Sequence, residues 1–166
     1  YRGGRGAAGL LPECGGACGV ATLSFAISGA RVSSGPVSRY DVPMLQIEDV
    51  LRDRGSRYAV SGGPVQGRSG AEAFLAELKR TKKFAKATHN TWACVFSDVG
   101  PVKNDDGEAG AGAVILKMLE RAGLVDHIVV VTRWYGGVHL GGDRFAHVVT
   151  CTRAYLDDLP KAGVKA

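Results

Sequence analysis

No uninterrupted apolar run in this chain approaches the ~20 residues that crossing a bilayer requires, which excludes a helical membrane span and makes a membrane partner unexpected. There is no initiator methionine. The chain opens Tyr-Arg-Gly-Gly-Arg-Gly, so it is expected to begin inside a longer gene product. Its early apolar patches, Leu10-Leu11 and Val20 to Ile27, are broken by Gly, Pro and Glu, which argues against a signal peptide. Cysteine is scarce, with 4 residues at 14, 18, 94 and 151. Cys14 and Cys18 have no second pair or flanking histidine, a poor match to zinc spacing. Cys94 and Cys151 lie in apolar-periodic stretches and are expected to pack as small buried hydrophobes. A reducing, intracellular and cytoplasmic setting follows, with no metal or cofactor expected.

The usual catalytic spellings are missing too. Neither G-x-x-x-x-G-K-[ST] nor G-x-G-x-x-G occurs, nor the G-x-S-x-G of a nucleophile elbow. Cys94 falls mid-strand and Cys151 mid-helix, away from any turn that would expose an activated thiolate. A non-enzyme is expected.

What remains is the composition of one soluble domain: 166 residues, 45% hydrophobic and 22% charged, enough for a proper core. A net charge of +5 permits nucleic-acid proximity without requiring it. Residues 1–36 are rich in Gly, Ala and Ser and read as a flexible or adventitious leader; 37–160 form the domain and 161–166 a tail. Val37–Tyr40 and Leu45–Leu51 alternate as strand, Arg54-Gly55-Ser56 turns, and Tyr58–Ser61 starts a partner strand that stops at Gly62-Gly63-Pro64. Ser69-Gly-Ala-Glu72 has the capping-box spacing, followed by a helix with Phe74, Leu75 and Leu78 on one face. Thr91–Phe96 reads as strand, 99–110 as loop, and Ala111–Ala122 as a second helix closed by Gly123 and Leu124. Ile128–Trp134 is apolar on both faces, hence central in a sheet. Asp143 is placed to cap a third helix carrying Phe145, Val148, Val149, Thr152, Tyr155, Leu156 and Leu159 inward. The fold expected is α+β, a two-layer sandwich with a mostly antiparallel sheet and helices on one face.

Several clusters could carry chemistry. His89-Asn90 opens a strand, where a lone histidine is more often a hydrogen-bonded structural group than a catalyst. Asp105, Asp106 and Glu108 could hold a divalent cation, although EF-hand spacing is absent; the commoner outcome is an Asp-Gly turn with its acids biased toward the next helix N-terminus. Arg133 could pair with a loop carboxylate, and Trp134 and Tyr135 either fill the core edge or form a recognition surface. Gly136-Gly137 and Gly141-Gly142-Asp143-Arg144 have the ingredients of a phosphate loop, but the acid at the cap stands where a phosphate would sit. Lys79, Arg80, Lys82, Lys83 and Lys86 gather at a helix end, where cations complement the dipole; a nucleic-acid footprint is the less common reading.

Taken together, Ala87-Thr-His-Asn90, Asn104-Asp-Asp-Gly-Glu108 and the block from Val130 through Arg-Trp-Tyr-Gly-Gly to His147 resemble the IMPACT/YigZ family in order and spacing over about residues 37–160. Arg54-Gly-Ser-Arg-Tyr58 is similar to the family's Lys-Ser-Arg-Phe-like stretch. Trp134-Tyr135, where bacterial members tend to have Tyr-Phe, and Leu140 to His147 resemble the eukaryotic branch. The resemblance implies a ribosomal-protein-S5-domain-2-like fold. It also implies a role in restraining the general-control kinase that acts on translation initiation factor 2, through competition for that kinase's large activator on ribosomes. Some members bind actin. No catalytic residues carry over, so the shared blocks transfer as a candidate surface or fold-defining cluster. IMPACT proteins also have an N-terminal RWD domain, and residues 1–36 are too few to build one.

The leading expectation is therefore a regulatory protein-binding domain whose partner belongs to translation control or the ribosome-associated machinery. An RNA- or ribosome-binding module using the lysine patch, with weak RNA binding, is the second. A metal-dependent hydrolase built on His89, Asp105, Asp106 and Glu108 is the third.

Overall fold

Strand β1 (Leu45–Asp53) and strand β2 (Ser56–Pro64) form a hairpin whose two-residue turn, Arg54-Gly55, has φ of 46° and 79°. Two left-handed residues match the twist of the flanking strands, and glycine removes the steric cost at the second. The computed structural model describes residues 44–159. The leader with its Val20–Ile27 apolar patch, the tail, Cys14, Cys18 and the strand expected near Val37–Tyr40 lie outside the described residues.

β2 does not stop at Gly62. It pairs in register with the later strand β5 (His127–Trp134) as far as Pro64↔His127. Gly62 is there for space, not for a turn: a Cβ would come within 2.5 Å of the Tyr155 ring and 2.6 Å of the Ile128 carbonyl. Helix α1 (Gly67–Arg80) begins two residues ahead of Ser69, where Gly67 turns the chain at φ 61°. The expected capping box is consequently inside the helix and makes no cap bond, and Glu72 pairs instead with Arg68 at 3.8 Å. Thr81, extended, separates α1 from the short α2 (Lys82–Ala85), which buries Phe84.

β3 (His89–Phe96) is followed by β4 (Gly100–Asn104), a strand where loop was expected. Pairing with β3 overrides a breaker-rich composition there, and Pro101 is tolerated because β4 is an edge. α3 (Ala111–Ala122) ends as expected: Gly123 is left-handed at φ 64°, and the Leu124 N–H donates to the Leu119 carbonyl at 3.1 Å. α4 spans Asp143–Asp158.

The five strands order β1-β2-β5-β3-β4, antiparallel throughout, with β5 in the middle as its two apolar faces required. Val129 and Val131 face Ile115, Leu119, Val148, Cys151 and Tyr155 of α3 and α4. Ile128 and Val130 point the other way, against Phe74, Leu78 and Phe84 of α1 and α2. The α+β antiparallel fold is the expected one. Its helices cover both faces of the sheet rather than one, because alternate β5 residues leave no face that water could tolerate. Cys94 and Cys151 are buried free thiols, pushed up to about 11 and about 12 by loss of solvent.

Candidate functional site

At the end of β5, Arg133 turns inward. Its Nη1–H donates to Glu108 Oε1 at 2.5 Å, and the two side chains are only 6% and 2% exposed. A second donor lies 3.4 Å from Ser56 Oγ, and the guanidinium sits 5.6 Å from the ring centroids of both Tyr58 and Tyr135. The carboxylate partner anticipated for Arg133 is thus Glu108, and the pair is buried on both sides.

The other two loop acids have separate tasks. The Glu108 N–H donates to the Asp105 carbonyl at 2.8 Å, closing a turn in which Asp106 and Gly107 have φ of 43° and 84°. That is the expected Asp-Gly turn. Asp105 accepts N–H bonds from Gly110 at 3.1 Å and Gly112 at 2.8 Å, serving the start of α3, whose own N-cap is a glycine. Burial pushes the Asp105 carboxyl up, but the Gly110 and Gly112 amides and Lys103 outweigh it and hold it below its ordinary value. Asp106 accepts the Asn90 N–H at 2.7 Å. The side chains are therefore committed in three directions, which contradicts the metal-dependent hydrolase. Among the described residues no group of three His, Cys, Asp or Glu converges.

His89 Nδ1 lies 2.8 Å from the Asp106 carbonyl, an oxygen that can only accept, so Nδ1 carries a proton. Asn90 is buried, donating to the Phe84 carbonyl at 3.3 Å and accepting from Thr132 Oγ1 at 2.9 Å. Both residues join β3 to its surroundings. Trp134 and Tyr135 diverge. The Trp134 Nε1–H donates to the Lys83 carbonyl at 2.9 Å and its ring meets Phe84 edge-on at 5.3 Å, so it fills the core edge. Tyr135 is exposed, with its N–H donating to Thr88 Oγ1 at 2.9 Å.

The glycine block then folds back on the first hairpin. The Gly136 N–H donates to Ser56 Oγ at 3.2 Å, and a Cβ there would sit 1.9 Å from the Gly55 carbonyl carbon. Gly137 and Gly141 are left-handed at φ 90° and 56°. Asp143, expected to cap α4, is its first residue and makes no cap bond; its carboxylate accepts from Arg54 Nη2 at 2.6 Å. The charge thought to repel a phosphate is matched by an arginine on the hairpin.

These folds leave a cleft of about 370 Å³ lined by His89, Glu108, Arg133, Tyr135, Gly141 and Arg144, together with Thr88, Gly107, His139 and Leu140. Asn90, Asp105, Asp106, Trp134, Gly136, Gly137 and Asp143 support it without lining it. Thr88, Ser56 and His139 stood in the quoted stretches without being named as site residues: Ser56 is 77 residues from Arg133, and no local spacing connects them. A cavity of about 410 Å³ between α3 and α4, floored by Val114, Met118, Val149 and Leu156, includes none of the expected site residues. In the basic patch, Arg80 pairs with Glu77 at 3.0 Å and Lys83 pairs with Glu48, while Lys79, Lys82 and Lys86 stand exposed. No helix among the described residues is long and apolar enough to cross a membrane.

Residues 54–156, which include every residue lining the cleft, match the model of the Impact N-terminal domain. The chain belongs to the Impact N-terminal domain family. Protein IMPACT of Bos taurus is 35% identical over 142 residues, covering 82% of this chain and 43% of that protein. The Protein IMPACT homolog of Caenorhabditis elegans is 36% identical over 117 residues, 66% of this chain and 46% of the relative. The chain thus spans less than half the length of these curated relatives. A crystal structure described as that of an hypothetical protein superposes with a TM-score of 0.61 at 23% identity, covering 70% of this chain and 58% of that one, a likeness of fold.

Proposed function

We propose that this Impact N-terminal domain is a non-enzymatic, cytoplasmic protein-binding module of translational control. Its partner lies in the ribosome-associated machinery, and its effect is to restrain the kinase acting on translation initiation factor 2 by competing for that kinase's large activator. One observation carries the reading. Asp105, Asp106 and the Arg133–Glu108 pair are bound internally, while Tyr135 and Val138, 39% and 47% exposed, stand on the glycine block beside the cleft. An aromatic and an aliphatic side chain on a glycine-shaped loop beside a concave surface have the character of an interface anchor. RNA binding through the lysine patch is the weaker reading, since Arg80 and Lys83 are already ion-paired.

The test is a pull-down of the kinase activator from ribosome-containing lysate. A Tyr135→Ala, Val138→Ser double variant is expected to retain the wild-type circular dichroism and to lose at least ~90% of the captured activator, as removing a central anchor does. Equal capture by the variant, or no translation-machinery protein retained by the wild type, would count against the proposal.

A further inference from the structure

We infer that the cleft is an oxyanion site that takes a phosphate group, with Arg144 supplying the free positive charge. The inference rests on reading the cleft as a binding site and is independent of which protein the rim engages.

The charges around the cleft do not balance. Arg133 and Glu108 neutralise each other within it. Arg144 has no carboxylate within ion-pair distance among the described residues; its Nη2 donates to the Ala109 carbonyl at 3.3 Å, and its guanidinium lies 4.7 Å from the Phe145 ring centroid. The hydrogen bonds do not balance either. The Nε atoms of Arg133 and Arg144 are both buried and have no partner, and Arg133 as a residue is 5% exposed. A buried donor left unmade is destabilising, the more so when the group is charged, so two such donors beside one cavity call for an acceptor. A phosphate has only acceptor oxygens at its charged end and suits guanidinium geometry.

Three further features agree. Gly141, at the approach to the 16-residue helix α4, lines the cleft, and the positive end of that helix favours an anion. Asp143, the acid at the same helix end, is held by Arg54. His139 lines the cleft with its ring 5.5 Å from that of Tyr135, adding a donor beside an exposed aromatic. A metal cation would meet Arg144 and an already paired Glu108, which removes the opposite assignment. The class of ligand is a phosphate monoester, and its source is either a phosphorylated protein side chain or a small phosphate ester.

The experiment is an NMR titration of the full chain with inorganic phosphate at fixed ionic strength, with acetate and chloride as controls. Saturable shifts are expected in the amides of residues 137–144 and in the His89 and His139 imidazoles, larger for phosphate than for acetate. Arg144→Gln should weaken phosphate about tenfold, the loss of one charge-assisted bond. His139→Ala, on an exposed side chain, should weaken it with no change in melting temperature. Arg153→Gln removes the same charge from a site that does not line the cleft and should leave affinity unchanged. Absence of a saturable response, or equal weakening by the Arg144 and Arg153 variants, would overturn the site. Comparison of a phosphoserine peptide with phenyl phosphate assigns the source to whichever binds more tightly. Failure of phosphate binding with capture still dependent on Tyr135 would sink this inference alone; no capture by the wild type, or equal capture by the Tyr135 variant, with phosphate binding intact would sink the protein-partner reading alone.

Discussion

Arg133 and Glu108 form the one ion pair among the described residues that is buried on both sides. Such a pair is weak evidence of net stability, because desolvating two charges offsets most of their attraction. Removing one partner is another matter. Glu108→Ala should destabilise the domain by about 3–5 kcal/mol, since it strands a guanidinium in the core. Urea unfolding measures this, and a loss below ~1 kcal/mol would mean that water or another acid reaches Arg133. The double variant Glu108→Leu, Arg133→Met should recover much of the loss. The sequence pointed to a loop carboxylate for Arg133 without saying which. The choice depends on register: Arg133 lies opposite His89, and the Asp-Gly turn then directs Glu108 alone toward it.

At the scale of one element, α3 shows how a helix can be started by a residue outside it. Its N-cap is Gly110, left-handed at φ 87°, and the Asp105 carboxylate reaches over the turn to take the Gly110 and Gly112 amides. Gly112 is required for that approach, because a Cβ there would lie 2.8 Å from Asp105 Oδ1. The carboxyl of Asp105 is held below 3.8 in the fold, so it binds protons less readily folded than unfolded. Its stabilising effect is therefore complete above 3.8 and is lost as pH falls through the lower, folded value. Asp105→Asn should lower the melting temperature at pH 7 and flatten its decline below pH ~4, a difference that thermal scans across the acid range would reveal. A variant with the same acid limb as wild type would refute this. The Ser69 cap failed where the Asp105 bias succeeded for one reason. Spacing alone ignores where the preceding chain enters, and Gly67 had already turned it.

For the whole molecule, the decisive fact is that β5 belongs to two cores. Val129 and Val131 pack under α3 and α4, and Ile128 and Val130 under α1 and α2. Native-state hydrogen exchange should accordingly find the slowest amides in β5, with β1 and β4 at the edges exchanging first. Faster exchange in β5 than in β1 would show that the two layers open independently. The apolar run Ile128–Val131 announced this strand's central place from sequence alone, and Ala111–Ala122 announced its helix to the residue. β4 was hidden because an edge strand is specified by its neighbour as much as by its own residues. The cleft was only partly legible: the family blocks contain Thr88, Arg133, His139, Gly141 and Arg144, but that these residues share one cavity emerges only once β3 and β5 are side by side.

The contact between Gly55 and Gly136 gives this architecture a mechanical character. With a Cβ at Gly136 falling 1.9 Å from Gly55, and one at Gly55 falling 2.8 Å from the Gly136 carbonyl oxygen, neither strand end has slack against the other. Tension applied along β1 is thus expected to reach the loop bearing Tyr135 through the hairpin tip. The first hairpin is a lever whose short arm rests on the wall of the cleft.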